Sequence, residues 1–318
     1  MPVVTVVVPT HNRSGLLQTT LRSLLWQRDV DLDIVVVDDG STDSTASAIA
    51  SFRDERLRMI HNAEARGVSH SRNQGVAEAT GEWISFCDDD DVWAPDKLAQ
   101  QLASARRQGR DWAYCGVINI DEQLRPVSSP PVPSPDEVVA NLPRYNAVAG
   151  GGSNVVVRRE LLTRAGAFDP ALRNTEDWEM WLRLSLLGPP AATDRRLVGY
   201  RLHATNASLD VGEILEGVRR IEQVHRVRVD RGRIHRWLAE SSLRTGHRGE
   251  ALRHWVVAAG NGQAAAVLAD VGAVLRRRIT TGSRRRKDPS EVGPSEWQAQ
   301  AVQWLEALAR SETRGLQP

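Results

Sequence analysis

The chain has 318 residues, 41% of them hydrophobic and 25% charged, with 41 basic side chains against 40 acidic ones. That length and balance exclude a disordered chain and a disulfide-stapled mini-fold, and fit a globular protein that divides into two domains. Cys87 and Cys115 are too few for a disulfide framework and lack the paired spacing of a zinc site, which fits a reducing, cytoplasmic compartment.

The N-terminus, Met1-Pro2-Val3, has no basic n-region and no long apolar h-region, so no secretory signal is expected. The near-neutral total conceals a division. Residues 1–210 hold 22 basic and 28 acidic side chains, a net −6, whereas residues 211–318 hold 19 and 12, a net +7. Because 39 of the 41 basic residues are arginine, compositional bias and a solvated surface account for the basic half better than an anionic partner does, and no nucleic-acid partner is expected.

Val3 to Val8 is β-branched throughout and ends at Pro9-Thr10, the pattern of a strand buried on both faces. Ser14 to Gln27 carries leucines at helical spacing, and Ile34 to Val37 is a second buried strand ending in Asp38-Asp39-Gly40-Ser41. The alternation continues with a helix over Ser44 to Phe52, a strand over Leu57 to His61, a helix over Val68 to Ala79 and a strand over Trp83 to Cys87. Such alternation predicts a mostly parallel sheet covered by helices, with ligands bound where the strands end. The polar clusters after these strands should therefore converge on one rim.

Pro126 to Pro143 is rich in Pro and Ser and reads as a surface loop or lid. Gly150-Gly151-Gly152, a strand over Asn154 to Val157 and a helix over Glu176 to Leu187 follow. Residues 211–318 read as helices only, with one hairpin of tetratricopeptide type around Gly246-His247-Arg248-Gly249. Val256 to Leu275 is apolar but interrupted by Asn261, Gln263 and Asp270, so it is not read as a membrane span. The basic clusters Arg276 to Arg278 and Arg284 to Lys287 lie beyond it and allow at most a peripheral membrane contact. A final helix is expected over Ser295 to Arg310.

Four consecutive acids, Asp88 to Asp91, crowd the end of an apolar strand. Two readings stand for them: a hard divalent cation, Mg²⁺ or Mn²⁺, relieves their repulsion, or they form a solvated turn capping the helix that begins near Pro95. Asp38 to Asp43 makes either a turn and helix cap or a carboxylate that accepts hydrogen bonds from a nucleoside. Glu176-Asp177 opens a helix, where carboxylates complement the helix dipole.

Taken in order, Pro9-Thr10-His11-Asn12-Arg13, Asp38 to Asp43, Ala65-Arg66-Gly67-Val68, Ser71-Arg72-Asn73, Asp88 to Asp91 and Glu176-Asp177-Trp178 resemble the family 2 glycosyltransferases of the GT-A fold, over about residues 1–205. The resemblance implies an α/β, Rossmann-like, mostly parallel mixed sheet, with 1–210 as catalytic domain and 211–318 as a helical region for acceptor, partner or oligomer contacts. It implies an inverting, metal-dependent transfer of sugar from a nucleotide donor, UDP above others. By the same resemblance Asp39 contacts the base with His11 against it, and Arg72 faces the nucleotide. Asp88 lies near the ribose, Asp90 binds the metal, His203 is a further metal or diphosphate ligand, and Asp177 is the catalytic base. Pro9, Thr10, Arg13 and Asp89 complete the donor-binding set, with Gly151 and Gly152 lining the sugar pocket.

Two alternatives accompany this reading: a nucleotide-sugar-binding or scaffold protein without turnover, and a nucleotidyltransferase, whose usual Gly-rich basic loop after the first strand is replaced here by Thr10-His11-Asn12-Arg13. The sugar and the acceptor are not specified.

Overall fold

The structure, a computed structural model, describes residues 3–203, 210–281 and 296–314. These form two units: residues up to 203 together with the last helix, and the helices between.

In the first unit, β1 (Val3–Thr10), β2 (Asp31–Asp38), β3 (Leu57–His61) and β4 (Trp83–Phe86) alternate with α1 (Ser14–Leu25), α2 (Thr45–Ala50) and α3 (Val68–Ala77). There follow β5 (Val92–Trp93), α4 (Lys97–Gln108), β6 (Trp112–Ile120), β7 (Pro126–Ser128) and α5 (Pro135–Asn141). The unit continues through β8 (Val156–Arg158), α6 (Arg159–Ala165), α7 (Glu176–Leu187) and β9 (Ala191–Arg201). The strands make one nine-stranded sheet in the order β3-β2-β1-β4-β8-β6-β9-β5, with β7 on β6.

Direction within this sheet positions the site. β1 pairs in parallel with β2 and β4, with Thr10 opposite Asp38 and Val7 opposite Phe86. β8 runs antiparallel to both β4 and β6, and β9 runs parallel to β6. The carboxyl ends of β1, β2, β4 and β9 and the amino end of β8 therefore share one rim.

The sheet is helix-covered on both faces, as continuous apolar strands require. On one face Leu17, Leu21 and Leu24 of α1 and Leu98 and Leu102 of α4 join the buried core. On the other, Phe86 of β4 meets Phe168 edge-on at 5.0 Å and Trp181 of α7 at 6.5 Å. α3 lies so close to β1 that a Cβ at Gly75 would fall 2.3 Å from Val7 Cγ1, which glycine alone permits.

Two expectations change. The segment 126–143 is not a bare loop: Pro126–Ser128 pairs with β6, and Pro135–Asn141 is a helix whose capping box joins Ser134 and Glu137. The final helix, α12 (Glu296–Arg314), does not belong with the helical region to which 211–318 was assigned. Its Ala301, Trp304, Leu305 and Leu308 are buried in the core of the sheet unit, an apolar stripe that the sheet covers.

The second unit contains α8 (Val211–His225), α9 (Arg231–Arg244), α10 (Arg248–Ala258) and α11 (Ala264–Thr281). Asp210 and Asp230 cap α8 and α9 through the backbone N–H groups of Glu213 and Arg233. α9 and α10 form the expected hairpin over Ala239, Ala251, Trp255 and Ala258. The apolar stretch from Val256 breaks at Asn261 and Gly262, and among the described residues no helix is long and apolar enough to cross a membrane. Arg284 to Lys287 and the side chains of Arg276 to Arg278 lie outside the described residues.

Candidate active site

The turn after β1 is fixed by the turn after β2. Asn12 Oδ1 accepts from the Thr42 and Asp43 backbone N–H groups at 2.8 and 3.2 Å, which turns its amide NH₂ toward His11 Nε2 at 3.0 Å. His11 Nδ1 faces the Asp39 carbonyl at 2.8 Å. A carbonyl only accepts, so Nδ1 is the donor there. His11 itself is exposed beside Asp39.

The Asp39 carboxylate sits at the start of α3. Oδ2 accepts from the Arg66 and Gly67 backbone N–H groups at 2.9 and 2.7 Å, and Oδ1 accepts from Asn62 Nδ2 at 3.0 Å. A carboxylate offers about four lone-pair sites, so Oδ1 retains capacity for one further donor.

The acids after β4 divide into different environments. Asp88 is partly exposed: its N–H donates to Ser153 Oγ at 2.9 Å and its Oδ1 accepts from Arg72 Nη2 at 2.6 Å. Asp89 is buried, accepting from Thr10 Oγ1 at 2.7 Å, and burial together with Asp90 pushes it up to about 7. Asp90 Oδ2 meets Arg13 Nη1 at 2.5 Å and His203 Nε2 at 2.9 Å. Burial works against its charge, but the bonds from His203 and Arg13 outweigh burial and hold it below the ordinary carboxylate range. Asp91 is fully buried and takes the Arg201 N–H on Oδ1 at 3.0 Å, tying the end of β9 to this loop.

Arg13, expected among the donor-binding residues, thus lies across Asp89 and Asp90. Arg72, expected to face a nucleotide, is 2% exposed; its Nη1 reaches Glu176 Oε1 at 2.5 Å while Nη2 holds Asp88. Its guanidinium also lies over the Phe168 ring, 5.4 Å from the centroid. Burial pushes Glu176 up to about 7 against the pull of Arg72.

Gly151 and Gly152 open a 3-10 turn, Gly151–Asn154, leading into β8. A Cβ on Gly151, whose φ is +54°, would lie 3.5 Å from Asp88 Oδ2 and 3.6 Å from Asp177 Oδ2. A Cβ on Gly152 would lie 2.5 Å from Arg72 Nη2. Bare backbone here leaves room between two carboxylates. Pro9 is buried at the end of β1, behind this rim. Sequence reasoning passed over Asn146, which donates from Nδ2 to Asp177 Oδ2 at 3.1 Å. A lone Asn in a loop gives no periodic or motif signal.

Asp90 and His203 are the residues that would hold a hard divalent ion. Both side chains are nearly buried and converge within hydrogen-bond distance, one an anionic oxygen and the other an imidazole nitrogen. Among the described residues no group of three or more His, Cys, Asp or Glu gathers as a metal cage. Two protein ligands, with the rest from phosphate and water, is the pattern of an ion that arrives with a nucleotide.

Residues 5–166 match the family model of glycosyl transferase family 2, and the chain belongs to that family. Its sheet unit has the GT-A-like fold, a mostly parallel mixed sheet with flanking helices. The succinoglycan biosynthesis protein ExoO of Rhizobium meliloti is 31% identical over 226 residues, 66% of this chain and 63% of its own, so the chain spans less than two thirds of that relative. The Escherichia coli UDP-Glc:alpha-D-GlcNAc-diphosphoundecaprenol beta-1,3-glucosyltransferase WfgD is 26% identical over 57% of this chain and 69% of its own. The crystal structure of Staphylococcus aureus TarS 1–349 in complex with UDP-GlcNAc superposes with a TM-score of 0.57 at 18% identity, covering 98% of this chain and 92% of that one, a likeness of fold.

Proposed function

We propose that this chain transfers a sugar from a UDP-linked donor to an acceptor hydroxyl by a single displacement that inverts the anomeric centre. The observation that carries the reading is the convergence of Asp88 and Asp177 on Gly151, where a Cβ would lie 3.5 Å from one carboxylate and 3.6 Å from the other. In this reading Asp88 serves the nucleotide and Asp177 the acceptor. The donor specificity of WfgD and the UDP-GlcNAc complex of TarS support the nucleotide-sugar class.

Asp39 takes a base N–H at its remaining lone pair, and His11 packs against the base. Asp88, anchored by Arg72 and Ser153, accepts from the ribose. Asp90 and His203 would hold Mn²⁺ or Mg²⁺, which when bound would supply charge neutralisation to the departing diphosphate. Asp177 removes the acceptor's proton. Burial raises its proton affinity above that of an ordinary Asp, and Arg72 and the Asn146 amide moderate the rise. A base placed in this way contributes about 10²–10⁴-fold.

The test is a thermal-shift screen of nucleotide sugars with and without Mn²⁺, followed by UDP release from any that bind. Stabilisation by one UDP-sugar that requires Mn²⁺, with UDP released on turnover, is expected. A protein indifferent to all of them would end this reading.

A further inference from the structure

We infer that Asn146 is a positioning residue for the transfer: its side-chain amide fixes Asp177 and sets the pH at which that carboxylate serves as base. The inference rests on the function proposed above.

The amide's orientation follows from its partners. Asn146 Oδ1 accepts the Val148 backbone N–H at 3.2 Å, and because an N–H only donates, the oxygen must lie on that side. The NH₂ is thereby turned to Asp177 Oδ2 at 3.1 Å. Asn146 is thus held by its own loop, between α5 and Gly150, and holds the base in turn.

Other groups around Asp177 also bear on its charge. From α3, Arg72 stabilises the carboxylate, and the Trp178 backbone N–H of α7 donates to it. Asp88, from the loop after β4, and Glu176, the preceding residue, oppose the charge. Arg72 already bridges Asp88 and Glu176, so it is shared among three acids, whereas the Asn146 amide addresses Asp177 directly. A neutral donor of this kind favours the ionised form without adding a charge that would compete for the donor's diphosphate. It also pins Oδ2, leaving lone pairs of the carboxylate to meet the acceptor.

The experiment follows kcat for UDP release against pH in wild type, Asn146→Ala and Asn146→Asp, using UDP-GlcNAc and UDP-glucose as donors. The acid limb of kcat reports the base in the bound complex. Losing the donor in Asn146→Ala should move that limb up by about half to one pH unit, with KM for the UDP-sugar unchanged. Asn146→Asp, of the same shape, should move it further, because a second carboxylate then faces the base. A wild-type limb in both variants, whatever the loss in kcat, overturns the inference and leaves the proposed function intact. Full turnover in Asp177→Asn removes Asp177 as base. No UDP release by wild type from either donor counts against the proposed function and takes this inference with it.

Discussion

Arg72 and Glu176 meet across 104 positions of sequence, with Nη1 2.5 Å from Oε1, and the other arm of the same guanidinium lies 2.6 Å from Asp88. One fully buried cation therefore binds the start of α7 to the loop after β4. Burial alone would lower its proton affinity, but Asp88 and Glu176 outweigh burial and raise it. The guanidinium is fixed in its charged form.

Removing that cation leaves Glu176 buried beside Asp177 without a counter-charge. Arg72→Met is therefore expected to destabilise the protein by about 3–5 kcal/mol, the usual cost of breaking one side of a buried pair. Urea unfolding monitored by tryptophan fluorescence measures it. A loss below about 1 kcal/mol, the range of a surface pair, would show that the bridge matters little.

Asp90→Ala takes away the charged oxygen shared by Arg13 and His203. Calorimetric titration with UDP should then show no Mn²⁺-dependent gain in affinity, whereas wild type shows one. Equal Mn²⁺ dependence in the two proteins would move the ion to other ligands.

Asp177→Asn keeps the shape of the side chain and cannot accept a proton. Donor binding should be retained while turnover falls about 10²–10⁴-fold. Turnover at the wild-type rate would make Glu176, the preceding carboxylate, the next candidate for the base.

Lys97 gives a pH-dependent test of the core. Its ammonium is fully buried, 3.6 Å from the centroid of the Trp93 ring, and burial pushes it down to about 8 from the usual 10.5. Between those values the unfolded chain holds a proton that the native state has released, so stability rises with pH across that window. Below it, the native state carries a burial penalty of roughly 3 kcal/mol. Lys97→Met should accordingly be more stable than wild type at pH 7, with the gain shrinking by pH 10. Melting temperatures at the two pH values decide it; a gain independent of pH would exclude the titration of Lys97 as its source.

The first half of the fold was legible because β1, β2 and β4 are buried on both faces and so appear as unbroken apolar runs. β6 and β9 were not. Gly116 interrupts the run of β6 where its register with β9 shifts; a Cβ there would lie 3.0 Å from the Arg195 carbonyl oxygen, so the bulge requires what the pattern penalises. β9 carries Asp194-Arg195-Arg196 on a partly exposed stretch and shows no alternation. The helix Pro135–Asn141 announced itself in Ser134-Pro135-Asp136-Glu137, a capping-box spacing hidden by the Pro and Ser around it.

In the site, the acids were legible as clusters, but their partners were not. Nothing local in the sequence distinguishes an arginine that bridges two buried acids from one that meets a ligand. Asp91 reads like its three neighbours and is the one buried against the β9 backbone. Such differences arise from which strands lie side by side, a long-range property.

Because α12 supplies Ala301, Trp304, Leu305 and Leu308 to the core beneath the sheet, residues 204–295 are an insertion inside the sheet unit. Cutting the chain after residue 203 would therefore unroof that core: Trp304, whose ring edge approaches Gly199 of β9, would be lost and apolar surface exposed in its place. Separating the two units calls for excision and rejoining, with a linker carrying the chain from β9 to α12.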